Sequence, residues 1–373
     1  MERAYLAFLL REPVPLWGLV RARLGYLLLN PAALGGQLAA LSGHEGWPPC
    51  DLASRFLAGR SPAVRGAHTA LRRNASARCT PPGLRAMIAR HLPPGTVYIN
   101  TGHSNLSDRV LDAVRGAGGR IAVMIHDVIP LEHPELQRDG AVERFRGLLQ
   151  RVALKADVVV YPSDDTRARC RPWLTRHGRV PPGLVAPLGV TCAPPDASVL
   201  PEGLPPARAY FVCLGTIEPR KNVGFLLDLW DEMGPDAPSL LLVGARGWKN
   251  EDVFARLDAL PSGGPVRELP DLPDPAVSAL LTRAAALLFP SLAEGYGLPP
   301  AEAAALGTPV LCNDLPVLRE LMGEIPVYVD VADRLLWRKT ITELAAVSRA
   351  SARPPVYEPP GWPAHFRSVT RVI

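Results

Sequence analysis

The chain has 373 residues, of which 47% are hydrophobic and 21% are charged. This length fits two domains, and this composition is ordinary for a globular protein, which excludes a disordered chain. The net charge of +5 is uneven, because residues 1–90 hold 12 arginines, no lysine and four acids, a charge of +8. That segment favours a phosphorylated acceptor or an anionic membrane surface, unless it is simply a solvated face.

The cysteine spacing and the lack of a signal-peptide pattern predict a cytoplasmic protein. The six cysteines form no CxxC pair and no metal-ligand spacing with histidine, so disulfides and zinc are not expected. The first residues lack the apolar region of a signal peptide, and prolines and glycines interrupt the uncharged stretch 24–43. We therefore expect no transmembrane helix, while a peripheral position at the inner face of the membrane stays open.

The first 90 residues are mostly helix-prone, with no clear strand before Val97. From there, short β-prone apolar runs alternate with helical spacing, which is typical of a parallel sheet covered by helices. The predicted strands are residues 97–101, 120–126, 157–161 and 184–190, and the predicted helices are residues 105–117 and 142–156.

A segment rich in Pro, Ala and Gly, residues 191–206, is typical of an interdomain linker. After it the predicted strands are residues 207–214, 239–243, 286–290, 308–312 and 326–330, with helices at 223–233, 274–285, 299–306 and 316–322. The fold class predicted is α/β, with two doubly wound, Rossmann-like domains facing a cleft. We expect these domains at residues 1–190 and 207–355, followed by a tail at 356–373.

The stretch PSLAEGYGLPPAEAAALGTPVLCND, residues 290–314, leads from a predicted strand through a glycine-rich loop into a helix. Glu294 and Glu302 are separated by seven residues, which include Gly295 and Gly297. Glycines let the backbone approach a ligand closely, and a helix N-terminus offers free N–H groups to an anion. The two carboxylates can accept hydrogen bonds from sugar and ribose hydroxyls.

This stretch resembles the E-x7-E motif of the retaining GT-B glycosyltransferases of the family 4 type, glycosyl transferases group 1. The resemblance implies that Glu294 faces the hydroxyls of the donor sugar and Glu302 the ribose. The backbone that would help to hold sugar and phosphate is that of Gly295, Tyr296, Gly297 and Leu298. The family also implies transfer with retention, and a C-terminal tail that returns to the first domain.

The segment YFVCLGTIEPRKNVGFLLDLW, residues 210–230, places two cations between a strand and a helix. Arg220 and Lys221 suit a diphosphate, whose charge the helix dipole also favours. In similar enzymes these cations neutralise the leaving nucleoside diphosphate, and Gly215 belongs to the donor site. Thr216 stands where many of those enzymes have an arginine, so phosphate binding rests on Arg220 and Lys221.

His126 is predicted at the carboxyl end of a strand, in RIAVMIHDVIPLEHPE. In the resembling family a histidine at this point approaches the donor sugar near the reacting carbon, so His126 joins Glu294, Arg220 and Lys221 as a catalytic candidate. The acceptor candidates are Asp127, which could instead orient His126, and His103 and Asn105, which could instead bind donor phosphate. Simple helix capping is a further alternative for Asn105.

The beginning of the chain departs from the resembling enzymes. Those enzymes start with a strand and a glycine-bearing loop, whereas MERAYLAFLL resembles the sequence segment that follows that loop. We therefore expect that Met1 corresponds to an internal position of a longer ancestral chain, through either a misassigned start or a truncated first domain.

Several other enzyme signatures are missing, including a GxGxxG after a strand, a P-loop and GxSxG, which disfavours a dinucleotide dehydrogenase. Without a DxD triplet, no metal or other cofactor is expected to be required. The predicted function is transfer of a sugar, with retention, from a nucleotide-sugar donor to a glycan or lipid-linked acceptor in bacterial surface polysaccharide synthesis. The segments HDVIPLEHPE and GTIEPRKN resemble those of bacterial enzymes that build surface polysaccharides, many of which use GDP-mannose, so this donor is favoured. No nucleic-acid partner is expected. The alternatives are an inactive nucleotide-sugar-binding or scaffold protein and a GT-B sugar-nucleotide epimerase.

Overall fold

The computed structural model describes residues 1–55, 60–347 and 357–372. Within these ranges the strands are β1 (Gly18–Ala22), β2 (Gly25–Leu29), β3 (Ala77–Cys79), β4 (Val97–Asn100), β5 (Arg120–Met124), β6 (Val158–Tyr161), β7 (Gly183–Val185), β8 (Tyr210–Leu214), β9 (Ser239–Val243), β10 (Val266–Leu269), β11 (Ala286–Phe289), β12 (Val310–Cys312) and β13 (Val327–Tyr328).

The α-helices in the same ranges are α1 (Glu2–Leu9), α2 (Pro31–Leu41), α3 (Leu52–Arg55), α4 (Pro62–Arg73), α5 (Leu84–His91), α6 (Asp108–Gly116), α7 (Ile129–Glu132), α8 (Ala141–Lys155), α9 (Asp164–Thr175), α10 (Val223–Met233), α11 (Glu251–Asp258), α12 (Asp274–Leu281), α13 (Leu298–Ala305), α14 (Pro316–Met322), α15 (Arg334–Ala346) and α16 (Trp362–Thr370).

Two parallel sheets form the centre of the molecule. The first has the order β4-β5-β6-β7, and the second has the order β10-β9-β8-β11-β12-β13. In the second sheet β8 lies between β9 and β11, so the strand order reverses there. Ligands of such sheets bind in the crevice beyond the carboxyl ends of the strands at this reversal. The loops that follow β8 and β11 are therefore the expected binding loops.

Long apolar runs explain why both sheets lie in the interior. All five residues of β9 and all four of β11 are buried, as are all four of β6. Continuous apolar strands of this kind have helices on both faces, which matches the strand–helix alternation of the sequence. The predictions of strand 239–243 and of helices 223–233 and 316–322 are confirmed without any shift of their ends.

The expectation of a mostly helical segment before Val97 is wrong in part, because β1, β2 and β3 form an antiparallel sheet there. Ala22 pairs with Gly25, so only two residues, Arg23 and Leu24, form the turn between β1 and β2. They are not the Asn-Gly or Asp-Gly pair that normally signals such a hairpin. All five residues of β2 are buried, so the strand also lacks the alternation of a half-exposed strand.

β10 was not predicted from the sequence. It lies at the edge of the second sheet and, among the residues that the structure describes, pairs with β9 alone. Arg267 and Glu268 occupy its centre, and only Val266 is fully buried. Charged residues are common on edge strands because they discourage pairing with other chains. Because of them, β10 lacks the apolar run from which the other strands were predicted.

The last helix of the chain, α16, packs against the first parallel sheet and α1. Phe366 shares a buried cluster with Tyr5 of α1, Met124 of β5 and Val160 of β6. His365 is also buried there, with its Nε2 atom 2.6 Å from the hydroxyl of Tyr5. The two ends of the described chain are thus held together on the same domain.

Candidate active site in the cleft between the sheets

The loops that follow β8 and β11 meet at the strand-order reversal. Arg220 and Lys221 lie in a single 3₁₀ turn, Pro219–Lys221, directly before α10. The main chain of Arg220 accepts a hydrogen bond from Leu292 N at 2.9 Å, and its side chain donates to Ala293 O at 3.0 Å. These bonds fix one loop against the other, so the charged side chains occupy defined positions before any ligand binds.

The two cations converge on one carboxylate. Lys221 Nζ and Arg220 Nη1 each lie 2.7 Å from Glu294 Oε1. The side chains are 10%, 21% and 8% exposed for Lys221, Arg220 and Glu294. Burial opposes the charge on Glu294, but Lys221 and Arg220 outweigh it, and the pKa of Glu294 is lowered. Glu294 is therefore ionised at neutral pH.

A further carboxylate, Glu218, was not singled out in the sequence. Its Oε1 atom lies 2.6 Å from Arg220 Nη2, and Arg220 Nε donates to the same oxygen at 2.9 Å. Its Oε2 atom is buried and has no hydrogen-bond partner among the described residues. Glu218 also lines the cleft, so this second carboxylate lies beside Arg220 and Glu294 at the same site. The signal was present in GTIEPRKN, two residues before Arg220.

A cleft of about 400 Å³ opens between the two domains in front of this cluster. The candidates that line it are His126, Asp127, Arg220, Glu294, Gly295, Tyr296, Gly297 and Leu298. The other candidates, which are not among its lining residues, are His103, Asn105, Gly215, Thr216, Lys221 and Glu302. The structure thus brings together the two motifs of the second domain and the histidine of the first.

Lys221 lies behind Glu294, away from the cleft. Its ammonium lies 4.5 Å from the centre of the Phe289 ring, and a Cβ atom on Gly215 would lie only 3.3 Å from Lys221 Cε. Gly215 therefore leaves room for the lysine side chain, whereas Thr216 is exposed. In this arrangement Arg220 is the cation that faces the cleft, and Lys221 holds Glu294 in place.

His126 lies at the mouth of the cleft, two residues beyond β5. Its Nε2 atom is 2.6 Å from Thr101 O, and because a carbonyl can only accept, we assign the proton to Nε2. Asp127 Oδ1 instead accepts a hydrogen bond from Ile129 N at 3.0 Å, and burial raises the pKa of Asp127. The carbonyl of Thr101, and not Asp127, is the hydrogen-bond partner that orients His126.

His103 and Asn105 have partners inside the first domain. His103 Nε2 lies 2.8 Å from Met124 O, and Asn105 Nδ2 donates to Leu19 O at 3.2 Å. Burial lowers the pKa of His103, which favours its neutral form. Both residues have positive φ angles, 62° and 59°, so this loop is sharply bent. Their polar groups brace the loop that carries Thr101.

Glu302 lies in α13 and outside the lining of the cleft. Burial, with a contribution from the charge of Asp274, raises the pKa of Glu302 to about 7. Glu294 and Glu302, the two acids of the E-x7-E stretch, therefore have opposite electrostatic environments. One is paired with two cations, and the other is held partly protonated near neutral pH.

Direct contacts join the two domains beside the cleft. Thr166 Oγ1 donates to Gly295 O at 3.1 Å, and Tyr296 OH donates to Leu188 O at 2.8 Å. A Cβ atom on Gly295 would lie 2.5 Å from His126 O, so a side chain at this position would push the domains apart. Gly295 is therefore required for the close approach of protein to protein as well as for any approach of a ligand.

Glu320 forms a cap across the domain boundary. Its two carboxylate oxygens accept hydrogen bonds from Asp164 N at 2.6 Å and Asp165 N at 2.8 Å, in the first turn of α9. A carboxylate is favoured there by the free N–H groups and the helix dipole. Sequence spacing carries no signal for this contact, because the two partners are more than 150 positions apart.

The variant Glu320→Ala is expected to lower the free energy of unfolding by about 1 kcal/mol, since two N–H donors lose their acceptor. Urea denaturation measures the loss, and faster amide exchange at Asp164 and Asp165 locates it. Glu324→Ala is the matched control, because Glu324 is 89% exposed and its ion pair with Arg319 lies within its own domain. Equal stability of both variants would contradict the role of the cap.

In the described ranges, no three His, Cys, Asp or Glu side chains cluster closely enough to hold a metal ion. None of the helices among those residues has the length and apolar content that are needed to cross a bilayer.

Comparison with known proteins identifies related sequences. Residues 200–325 match the family model of glycosyl transferases group 1. The chain is 29% identical over 260 residues to the serotype-specific mannosyltransferase WbdA of Escherichia coli, which covers 65% of this chain and 32% of WbdA. It is 32% identical over 129 residues to O-antigen chain mannosyltransferase B of Escherichia coli, 34% of each chain. The chain thus spans about a third of the length of these relatives.

Solved structures share its architecture. Sucrose-phosphate synthase from Thermosynechococcus elongatus has a TM-score of 0.56 and 19% identity, covering 78% of this chain and 72% of its own. HepE from Anabaena, in complex with UDP, has a TM-score of 0.56 and 16% identity, covering 78% of each chain. This likeness confirms the predicted fold class. Residues 200–325 thus match the family model of glycosyl transferases group 1, and the chain has the GT-B fold that these solved structures share.

Proposed function

We propose that the chain is a glycosyltransferase that moves a sugar from a nucleotide-sugar donor to a glycan or lipid-linked acceptor. The observation that carries the proposal is the cluster of Arg220, Glu294 and Glu218 at the strand-order reversal, open to the interdomain cleft. A guanidinium suits the diphosphate of the donor, and two carboxylates suit its hydroxyls.

Each group has a distinct task in the proposed reaction. Arg220 stabilises the charge that develops on the departing nucleoside diphosphate, and the start of α13 at Leu298 adds its free N–H groups. Glu294, held by Lys221, accepts hydrogen bonds from the sugar. His126, held by Thr101 O, approaches the reacting carbon from the other domain, and domain closure excludes water from it.

The finer parts of the proposal rest on the relatives. WbdA and O-antigen chain mannosyltransferase B are named for mannose transfer, which supports a mannosyl donor and a role in surface polysaccharide synthesis. We propose GDP-mannose as the donor, retention at the anomeric carbon as in the family 4 type, and no metal requirement. The arginine-rich residues 1–90 support a position at the cytoplasmic face of a membrane, where they can contact anionic lipids.

The proposal is tested by incubating the protein with GDP-mannose, UDP-glucose or dTDP-rhamnose, with and without methyl α-mannoside as acceptor. We expect a disaccharide and free GDP from GDP-mannose, with the anomeric configuration of the donor retained in the NMR spectrum. The rate of GDP release should fall by about 100-fold or more in Arg220→Ala, since a charge-stabilising donor is lost. It should stay unchanged in Arg283→Ala, an exposed control.

The same assay separates the alternatives. An epimerised nucleotide sugar formed without acceptor would show a GT-B epimerase instead. Donor binding without turnover under any of these conditions, in a folded protein, would show an inactive binding or scaffold protein and would contradict the proposed transfer.

A further inference from the structure

Trp248 lines the interdomain cleft, and the proposed reaction gives it no task. It lies in the segment 244–250, which follows β9. Two backbone hydrogen bonds fix this segment to the loop after β8, one from Ile217 N to Ala245 O at 2.9 Å and one from Gly247 N to Ile217 O at 3.0 Å. Trp248 therefore has a defined position relative to the charged groups of the site.

The first domain holds the indole of Trp248 from the other side. The Nε1 atom donates a hydrogen bond to Leu136 O at 3.2 Å, and the guanidinium carbon of Arg138 lies 4.2 Å from the centre of the ring. Beside the ring, Lys249 Nζ lies 2.7 Å from Asp139 Oδ1. Because the N–H group of the indole already has its partner, the ring offers an apolar surface to a bound molecule.

Apolar side chains accompany Trp248 in the lining of the cleft. They include those of Ile129, Pro130 and Leu136 from the first domain, and Gln137 adds an amide group. A pyranose ring has an apolar C–H face that is bordered by hydroxyl groups. A flat aromatic surface with an amide nearby matches such a ring, because it accepts the apolar face and hydrogen-bonds the rim.

The charges of the lining oppose an anionic acceptor. Its carboxyl groups are those of Asp127, Glu218 and Glu294, whereas Arg220 is its one arginine, and no lysine lines the cleft among the described residues. In the proposed reaction the diphosphate of the donor occupies Arg220. A phosphate group on the acceptor would therefore lie near carboxylates and donor phosphates without a cation of its own, which is unfavourable.

We propose that the acceptor is an uncharged glycan end whose terminal sugar ring packs against Trp248, and that the cleft rejects a sugar joined directly to a phosphate. This inference rests on the proposed sugar transfer and names the acceptor of the same site. Trp248 then determines acceptor specificity and takes no part in holding the donor.

Two acceptors with the same sugar test the charge argument. Transfer from GDP-mannose to methyl α-mannoside is compared with transfer to α-mannose 1-phosphate, which carries a phosphoryl group in place of the methyl group. We expect kcat/KM to be at least about tenfold higher for the methyl glycoside, because the phosphate brings like charges together. Equal kcat/KM values for the two acceptors would overturn the proposed selection.

Variants of the ring test the location. Trp248→Ala should raise the KM for methyl α-mannoside by about tenfold, while the Kd of GDP-mannose from calorimetry stays within about twofold. Trp248→Phe keeps an aromatic face but loses the N–H donor, so it should retain most of the affinity for the acceptor. Lys249→Ala is the matched control, because it breaks the ion pair with Asp139 but keeps the ring, and it should behave as the wild type.

The outcomes separate this inference from the proposed function. If Trp248→Phe is as impaired as Trp248→Ala, the bond to Leu136 O matters and the ring face does not. If Lys249→Ala shows the same loss, Trp248 only bridges the domains. Either result would overturn the inference while the sugar transfer stands. Transfer to neither acceptor by the folded wild type would contradict the proposed function, and this assignment with it.

Discussion

Replacing Glu294 by glutamine is expected to lower the free energy of unfolding by about 3 kcal/mol and to abolish donor binding. The substitution keeps the shape of the side chain but leaves Lys221 and Arg220 facing a neutral group inside the protein. Breaking a buried ion pair typically costs about 3 to 5 kcal/mol, because the remaining charge has no partner. The lower end applies here, since Arg220 is 21% exposed and keeps Glu218.

Urea denaturation measures this loss, and the double variant Lys221→Met/Glu294→Gln shows its origin. Removing both charges should destabilise the protein by less than the two single changes together, because no buried charge then remains alone on Lys221. Additive losses, or a Glu294→Gln protein as stable as the wild type, would show that the cluster is not the ion network that the distances describe.

Glu302, the second acid of the E-x7-E stretch, is expected to make the free energy of unfolding depend on pH. The pKa of Glu302 is raised to about 7 by burial and by Asp274, so folding favours its protonated form. The stability from this group is fully present below its unfolded pKa of 4.5 and is lost as pH rises through about 7. We expect a loss of about 2 to 3 kcal/mol across this window.

Comparison of wild type with Glu302→Gln between pH 4 and pH 8 isolates this contribution. Asp127, His103 and His365 have shifted pKa values as well, but they are present in both proteins and cancel in the difference. The glutamine variant should be more stable than the wild type at pH 8 and about equal to it at pH 4. A constant difference at every pH would contradict the assigned environment of Glu302.

The second domain could be predicted closely from the sequence because its signals are local. Its core strands are continuous apolar runs, and a long helical pattern such as 223–233 follows a glycine-bearing loop. Arg220 and Glu294 stand at strand ends, where parallel sheets place functional groups, so their convergence could be expected. The position of Lys221 behind Glu294 could not be predicted, because sequence spacing does not fix the direction of a side chain within a short turn.

The remaining features depend on contacts between distant parts of the chain. The hairpin of β1 and β2 has no turn signature at Arg23 and Leu24, and its pairing with β3 spans about 50 residues. The cap that Glu320 forms on α9 and the contact of Gly295 with His126 O exist only once the domains meet. Periodicity and motif spacing describe one segment at a time, so these contacts appear only in the folded chain.

We propose that a nucleotide sugar binds in the cleft through Arg220 and Glu294. The most direct test is calorimetric titration of GDP-mannose, UDP-glucose and dTDP-rhamnose into the wild type, Arg220→Ala and the exposed control Arg283→Ala. We predict that GDP-mannose binds the wild type and Arg283→Ala alike, and binds Arg220→Ala at least about tenfold more weakly, since a charge-assisted hydrogen bond is lost. Equal affinity of Arg220→Ala and wild type, or no binding of any of the three nucleotide sugars by a folded wild type, would contradict this binding mode.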